Sequence, residues 1–219
     1  MKKLAILVSG RGSNMLAIMD ACEQGRLDAK IEIVISNNAD SPALVTAKEK
    51  GIKTVHLSSR THPNPGELDE AMLNALSSNH VDLVLLAGFM KKIGPKTLVA
   101  YKGRMLNIHP SLLPNYGGQG MYGMRVHEAV IANREKETGV TIHLVDGEYD
   151  EGAILAQRPV TVEVGDTAES IAAKVLKVEH VLYAETIQKI IDGSIILPTE
   201  LRGGTYACNA HNVENWRSR

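Results

Sequence analysis

Aromatic residues are scarce in this chain: one Phe, one Trp and six Tyr among 219 residues. That argues against stacking platforms for single-stranded nucleic acid. Excess charge is also missing. The formal net charge is −1, which removes the electrostatic ground for nucleic acid or an anionic membrane as partner. There are only two cysteines, Cys22 and Cys208, and neither belongs to a CxxC pair. They cannot form a disulfide framework, and a reduced cytoplasmic protein without cysteine chemistry is expected. No run approaches the ~20 apolar residues of a membrane span. The opening "MKKLAILVSGRGSN" starts like a secretory leader, but its apolar run stops short of the ~7–15 residues that an h-region needs. The expected partners are therefore small molecules, with no nucleic acid and no membrane, for a monomer or a homodimer.

What is present is a regular alternation. "LAILV" (4–8), "IEIVIS" (31–36), "KTVHL" (53–57) and "VDLVLLAGF" (81–89) read as strands. Helical patterns separate them near 14–25, 42–50 and 66–79, the second closing on Gly51. Such alternation predicts a parallel sheet covered by helices on both faces. Further on come a short helix near 94–101, the strand "MLNIH" (105–109), a glycine-rich loop to Gly123 and a helix near 127–137. "GVTIHLVD" (139–146) and "GAILAQRPV" (152–160) are joined by the tight connection "GEYDE" and are expected to pair antiparallel. The fold class is thus α/β, Rossmann-like, with a mixed but mostly parallel sheet. Asp166 is expected to begin the last helix, with Glu169 at capping-box spacing. Ile171, Val175, Val178, Leu182 and Ile187 continue its apolar stripe toward Gly193. No repeat or linker divides the chain, so 1–197 reads as one domain and 198–219 as a C-terminal extension.

"SGRGSN" joins the first strand to the first helix. Gly10 and Gly12 begin a dinucleotide fingerprint, but Met15 stands where its third glycine belongs, and no Lys-Ser/Thr follows as in a triphosphate loop. Two readings stay open. One is a cradle for a single phosphate, using the helix N-terminus with Ser13 and Asn14. The other is a plain strand-to-helix turn with Ser13 as N-cap.

In "RMLNIHPSLLPNYGGQG", Asn107 and His109 are two apart on a strand and share one face. Pro110 ends the strand, and carboxyl ends of parallel strands are where ligands bind in such sheets. A neutral amide donor beside a group that titrates near neutrality suits acyl-type transfer to an amine. A satisfied structural histidine is the plainer alternative. Strand ends at "LAGFMKK" and acids in "LVDGEYDEG" converge on the same region.

"NIHPSLLP", with "LAGFM" before it, "GRGSN" at the start and "DEGAILAQ" after it, resembles the folate-dependent glycinamide ribonucleotide formyltransferases of purine synthesis. The likeness runs from about residue 2 to 195. It implies an N-terminal half, about 1–100, for the ribonucleotide and a C-terminal half, about 101–197, for the folate. It implies transfer of a formyl group from 10-formyltetrahydrofolate, as cosubstrate, to the amine of 5-phosphoribosylglycinamide, with no metal. By the same resemblance Asn107, His109 and Asp150 are catalytic. Gly12, Ser13 and Asn14 hold the substrate phosphate, and Glu179 touches that substrate. Met90, Lys91, Lys92 and Ile93, together with Asn107, line the folate pocket. Asp150 is expected to orient His109 and favour its charged form, although Asp146, Glu148 and Glu151 lie close by. Many relatives have Arg where Lys91 stands, and "THPNPGELD" lacks a further folate-contacting Arg. Gly117, Gly118, Gly120 and Gly123 suggest a mobile lid or a close backbone approach to ligand.

Three other readings compete. A formyltetrahydrofolate hydrolase would use the same triad with water, but such relatives carry an additional domain before the first strand. A transfer-RNA formyltransferase would append a C-terminal barrel and favour a basic surface. A non-catalytic folate or phosphoribosyl sensor would not need the triad.

Overall fold

The computed structural model describes residues 1–198. Seven strands form one sheet in the order β3-β2-β1-β4-β5-β6-β7. The strands are β1 (Lys2–Val8), β2 (Ala29–Ser36), β3 (Lys53–His56), β4 (Leu83–Leu86), β5 (Met105–His109), β6 (Glu137–Leu144) and β7 (Ile154–Thr161). The first five run parallel, and β6 pairs antiparallel with both β5 and β7. The helices are α1 (Ser13–Glu23), α2 (Pro42–Glu49), α3 (Pro65–Ser77), α4 (Pro95–Ala100), α5 (Met124–Ala132) and α6 (Ala168–Ile191).

Burial on both faces explains the unbroken apolar runs of β1 and β4. Leu4, Ile6 and Val8 join α1, α2 and α6 in one core. Ala5 and Leu7 point the other way, into a second core with Met72 and Leu76 of α3. The helices lie on both sides of the sheet for this reason. Three of them, α2, α3 and α4, open with proline, whose missing N–H costs nothing there. Among the described residues, no helix is long and apolar enough to cross a membrane.

Several element boundaries differ from the sequence expectation, three of them with a local cause in the structure. β4 stops at Leu86, not residue 89, and Gly88 then turns with φ +74. α5 spans Met124–Ala132, earlier than 127–137. It closes in a Schellman arrangement, with Arg134 at φ 53, Arg134 N bonded to Ile131 O and Glu135 N to Val130 O. α6 is capped by Thr167 and Ser170, not by Asp166 and Glu169. Asp166 instead accepts from Ser170 Oγ and pairs with Lys174. Thr167 Oγ1 accepts from the N3 amide of Ser170 at 3.3 Å. The extension expected over 198–219 lies, beyond Pro198, outside the described residues.

Candidate active site

The order of the strands reverses between β1 and β4, the place where open α/β sheets leave a crevice at their carboxyl ends. The loops that follow these strands meet there. Ser9 N donates to Gly88 O at 3.1 Å, and Met90 N donates to Ser9 Oγ at 2.8 Å. The glycine loop and the "LAGFM" segment are therefore one wall.

β5 supplies the second wall. Asn107 and His109 point from one face of the strand, as their spacing requires, and Asp150 meets both. His109 Nδ1 lies 3.4 Å from Asp150 Oδ2, and Asn107 Nδ2 lies 3.4 Å from Asp150 Oδ1. Asp150 reaches them from the β6–β7 connection with φ 60, an uncommon backbone conformation for a residue other than glycine. Gly118 N donates to its Oδ2 at 3.0 Å. Of the four acids near the connection, Asp150 is the one in contact with His109.

His143 completes the group and was not anticipated. It sits on β6 directly across from Asn107, with its Nε2 3.0 Å from Asn107 Nδ2 and 3.4 Å from Asp150 Oδ1. Its Nδ1 is 2.8 Å from the Leu144 carbonyl, which can only accept. The proton of a neutral His143 therefore sits on Nδ1, and Nε2 accepts from the Asn107 amide. The sequence did carry a signal: Thr141 and His143 alternate with Val140, Ile142 and Leu144, a polar pair on one strand face.

His109 is only 4% exposed, and its Nε2 donates to the Tyr116 carbonyl at 2.8 Å. Asp150 favours the charged form of His109, yet it does not decide the balance. Burial, the largest influence, pulls the imidazole below its ordinary value, while Asp150 and the Tyr116 carbonyl only partly raise it. For Asp150, burial pushes the carboxyl up, yet His143, His109 and the Gly118 N–H outweigh that, and it titrates below its ordinary value.

At the glycine loop, Gly12 rather than Ser13 takes the N-cap position of α1, at φ 73, without a side-chain cap. A Cβ on Gly12 would stand 2.7 Å from Ala43 Cβ. Leu16 N bonds to Gly12 O, so the N–H groups of Ser13, Asn14 and Met15 precede the helical ladder. Asn14 Nδ2 donates to Glu179 Oε2 of α6 at 2.9 Å. Both residues are buried, and Asn14 Oδ1 has no partner. Burial lifts the Glu179 carboxyl to about 7 against the opposing pull of Asn14. Two residues nominated separately from sequence thus form a single feature.

The segment 90–93 reaches the β6–β7 connection. Lys92 Nζ is 3.6 Å from Glu148 Oε2 and 5.1 Å from the centre of the Tyr149 ring. Ile93 packs into the second core, whereas Met90 and Lys91 are exposed. In the glycine-rich loop, a Cβ on Gly117 would meet Leu113 Cδ2 at 2.5 Å and Asp150 Cβ at 3.3 Å. The close approach at this glycine is to Leu113 and to the loop that carries Asp150.

Fold and site together define a Rossmann-like α/β protein with a polar Asn-His-Asp group at the carboxyl edge of its sheet. Residues 2–187 match the formyl transferase family. The chain is 39% identical to the phosphoribosylglycinamide formyltransferase of Haemophilus influenzae, covering 92% of each chain. It is 42% identical to the chloroplastic phosphoribosylglycinamide formyltransferase of Vigna unguiculata, covering 89% of this chain, and it spans 62% of that relative's length. The crystal structure of glycinamide ribonucleotide transformylase 1 from Symbiobacterium toebii superposes with a TM-score of 0.83 at 35% identity, covering 90% of this chain and 91% of that one. The chain belongs to the formyl transferase family.

Proposed function

We propose that the protein transfers the formyl group of 10-formyltetrahydrofolate to the amine of 5-phosphoribosylglycinamide, a step of purine synthesis. The observation that carries this reading is the meeting of Asn107, His109 and Asp150 at one strand end, in a chain of this family. The ribonucleotide phosphate rests on Gly12, Ser13 and Asn14 at the start of α1, with Glu179 alongside. The folate lies against Met90, Lys91, Lys92 and Ile93. The N-terminal half, about 1–100, serves mainly the ribonucleotide and 101–197 mainly the folate, within one domain.

The amine attacks the formyl carbon, and charge develops on the formyl oxygen. Asn107 donates one N–H of its neutral amide to that oxygen, giving up the long 3.4 Å contact with Asp150, while His143 holds the other N–H and with it the amide's orientation. Burial favours the neutral form of His109, in which Nδ1 offers a lone pair while Nε2–H stays on Tyr116. A proton arriving at Nδ1 finds Asp150 Oδ2 as its counterion. That proton leaves the attacking amine and passes from Nδ1 to the folate nitrogen as the bond between that nitrogen and the formyl carbon breaks.

Incubation with 10-formyltetrahydrofolate, with and without phosphoribosylglycinamide, tests the reading through folate release. Release that depends on the amine is expected. Release without it would make the protein a hydrolase, and tight binding without release a sensor.

A further inference from the structure

Tyr116 is an unusual residue for its position. It has φ 58, a left-handed conformation that costs a bulky side chain and persists only where surroundings enforce it. The enforcement comes from outside the site. The Tyr116 hydroxyl donates to Glu135 Oε1 at 2.7 Å and accepts from Asn133 Nδ2 at 2.9 Å. Its one proton and a lone pair are both used, so the hydroxyl cannot turn freely. Asn133 and Glu135 belong to the closed end of α5, where Glu135 N is bonded to Val130 O. The anchor is thus itself tied into a helix. At the other end of the same residue, the carbonyl takes the His109 Nε2 proton at 2.8 Å.

We propose that Tyr116 is a positioning residue for His109: its hydroxyl, held by Glu135 and Asn133, locks the peptide whose carbonyl fixes the imidazole with Nδ1 toward Asp150. A carbonyl can only accept, so it selects the Nε2–H tautomer and leaves the Nδ1 lone pair for the reaction. Without the brace, the strained peptide relaxes, and the imidazole samples the other tautomer. The groups facing His109 are Asp150 from the β6–β7 connection, His143 from β6 and His127 from α5. None of these fixes Nε2. The Tyr116 carbonyl also helps to hold the imidazole's charge, so loosening it lowers the His109 titration further.

The role depends on His109 acting at the reacting centre, but its test need not depend on the substrates. Nitrogen-15 NMR of labelled histidine reads the tautomer and the titration of His109 directly. In Tyr116→Phe, a mixture of tautomers and a lower midpoint are expected. In the formyl-transfer assay, kcat should fall roughly two- to tenfold, the equivalent of one net hydrogen bond, with both KM values within about twofold. Glu135→Gln keeps an acceptor for the hydroxyl and should behave as the wild type, whereas Glu135→Ala should resemble Tyr116→Phe. An unmoved His109 tautomer and midpoint in Tyr116→Phe would overturn the proposal, even with a lower Tm, because the brace would then serve stability alone. Equal impairment in Glu135→Gln and Glu135→Ala would overturn it as well. If wild-type protein transfers no formyl group, the substrate assignment fails, while the NMR result still decides the role of Tyr116.

Discussion

Asn107 and His143 face each other across β5 and β6, and the amide of the first donates to Nε2 of the second at 3.0 Å. The histidine thereby fixes which way the amide points. Loss of the donor itself, in Asn107→Ala, should lower kcat by roughly 10²–10³-fold, the range for an oxyanion donor. His143→Leu should cost less, roughly tenfold, because the amide remains but is misaligned. The double variant should be no worse than Asn107→Ala, since the two act as a unit. Steady-state kinetics of the three variants check this, and simple multiplication of the two losses would refute the coupling.

Asp150→Asn should lower the His109 midpoint further, because Asp150 is the charge that opposes burial. Activity needs the neutral imidazole, so the acidic limb of the pH–rate profile should move to lower pH, with kcat reduced and substrate binding retained. Asp150 also contributes to stability. Its folded carboxyl titrates below the ordinary value, so that contribution is present above the unfolded pKa and disappears as pH falls through the folded one. His109 titration by NMR in wild type and variant is the check. An unchanged or higher midpoint would assign the counterion elsewhere.

Glu179 gives the opposite pH signature. Its carboxyl is raised from 4.5 to about 7 on folding, chiefly by burial. Between those values the unfolded chain releases a proton that the folded protein keeps. Stability from this group is therefore full below 4.5 and lost as pH rises toward 7. Glu179→Gln should unfold at a higher temperature than wild type at pH 8, and the gap should close toward pH 5. The same variant should bind the ribonucleotide less tightly. Parallel Tm curves for the two proteins from pH 5 to 8 would contradict the burial argument.

Gly12→Ala should be costly in two ways. The left-handed backbone at φ 73 disfavours any side chain, by about 1–2 kcal/mol. The new methyl would also press on Ala43 Cβ from 2.7 Å. A lower Tm is expected, together with a KM that rises more for the ribonucleotide than for the folate. Equal changes in both KM values would remove the phosphate assignment.

Local rules in the sequence were enough for the α/β alternation, for the end of β5 at Pro110 and for the shared face of Asn107 and His109. These depend on a two-residue strand period and on proline's missing N–H, and both act within a few residues. The resemblance through "NIHPSLLP" and "DEGAILAQ" nominated Asp150 among four neighbouring acids. Local rules were not enough where several residues could serve equally. Thr167, not Asp166, caps α6, and Gly12, not Ser13, stands at the N-cap of α1.

The rest belonged to the tertiary structure. His143 became part of the site through the β5–β6 register, which no single strand contains. Asn14 and Glu179 are 165 positions apart in sequence and meet because α6 returns across the sheet to pack on α1. The net shift of His109 also depended on the fold. A neighbouring carboxylate could be guessed from sequence, but the depth of burial that outweighs it exists only once β5, β6 and the loop carrying Tyr116 have closed around the ring.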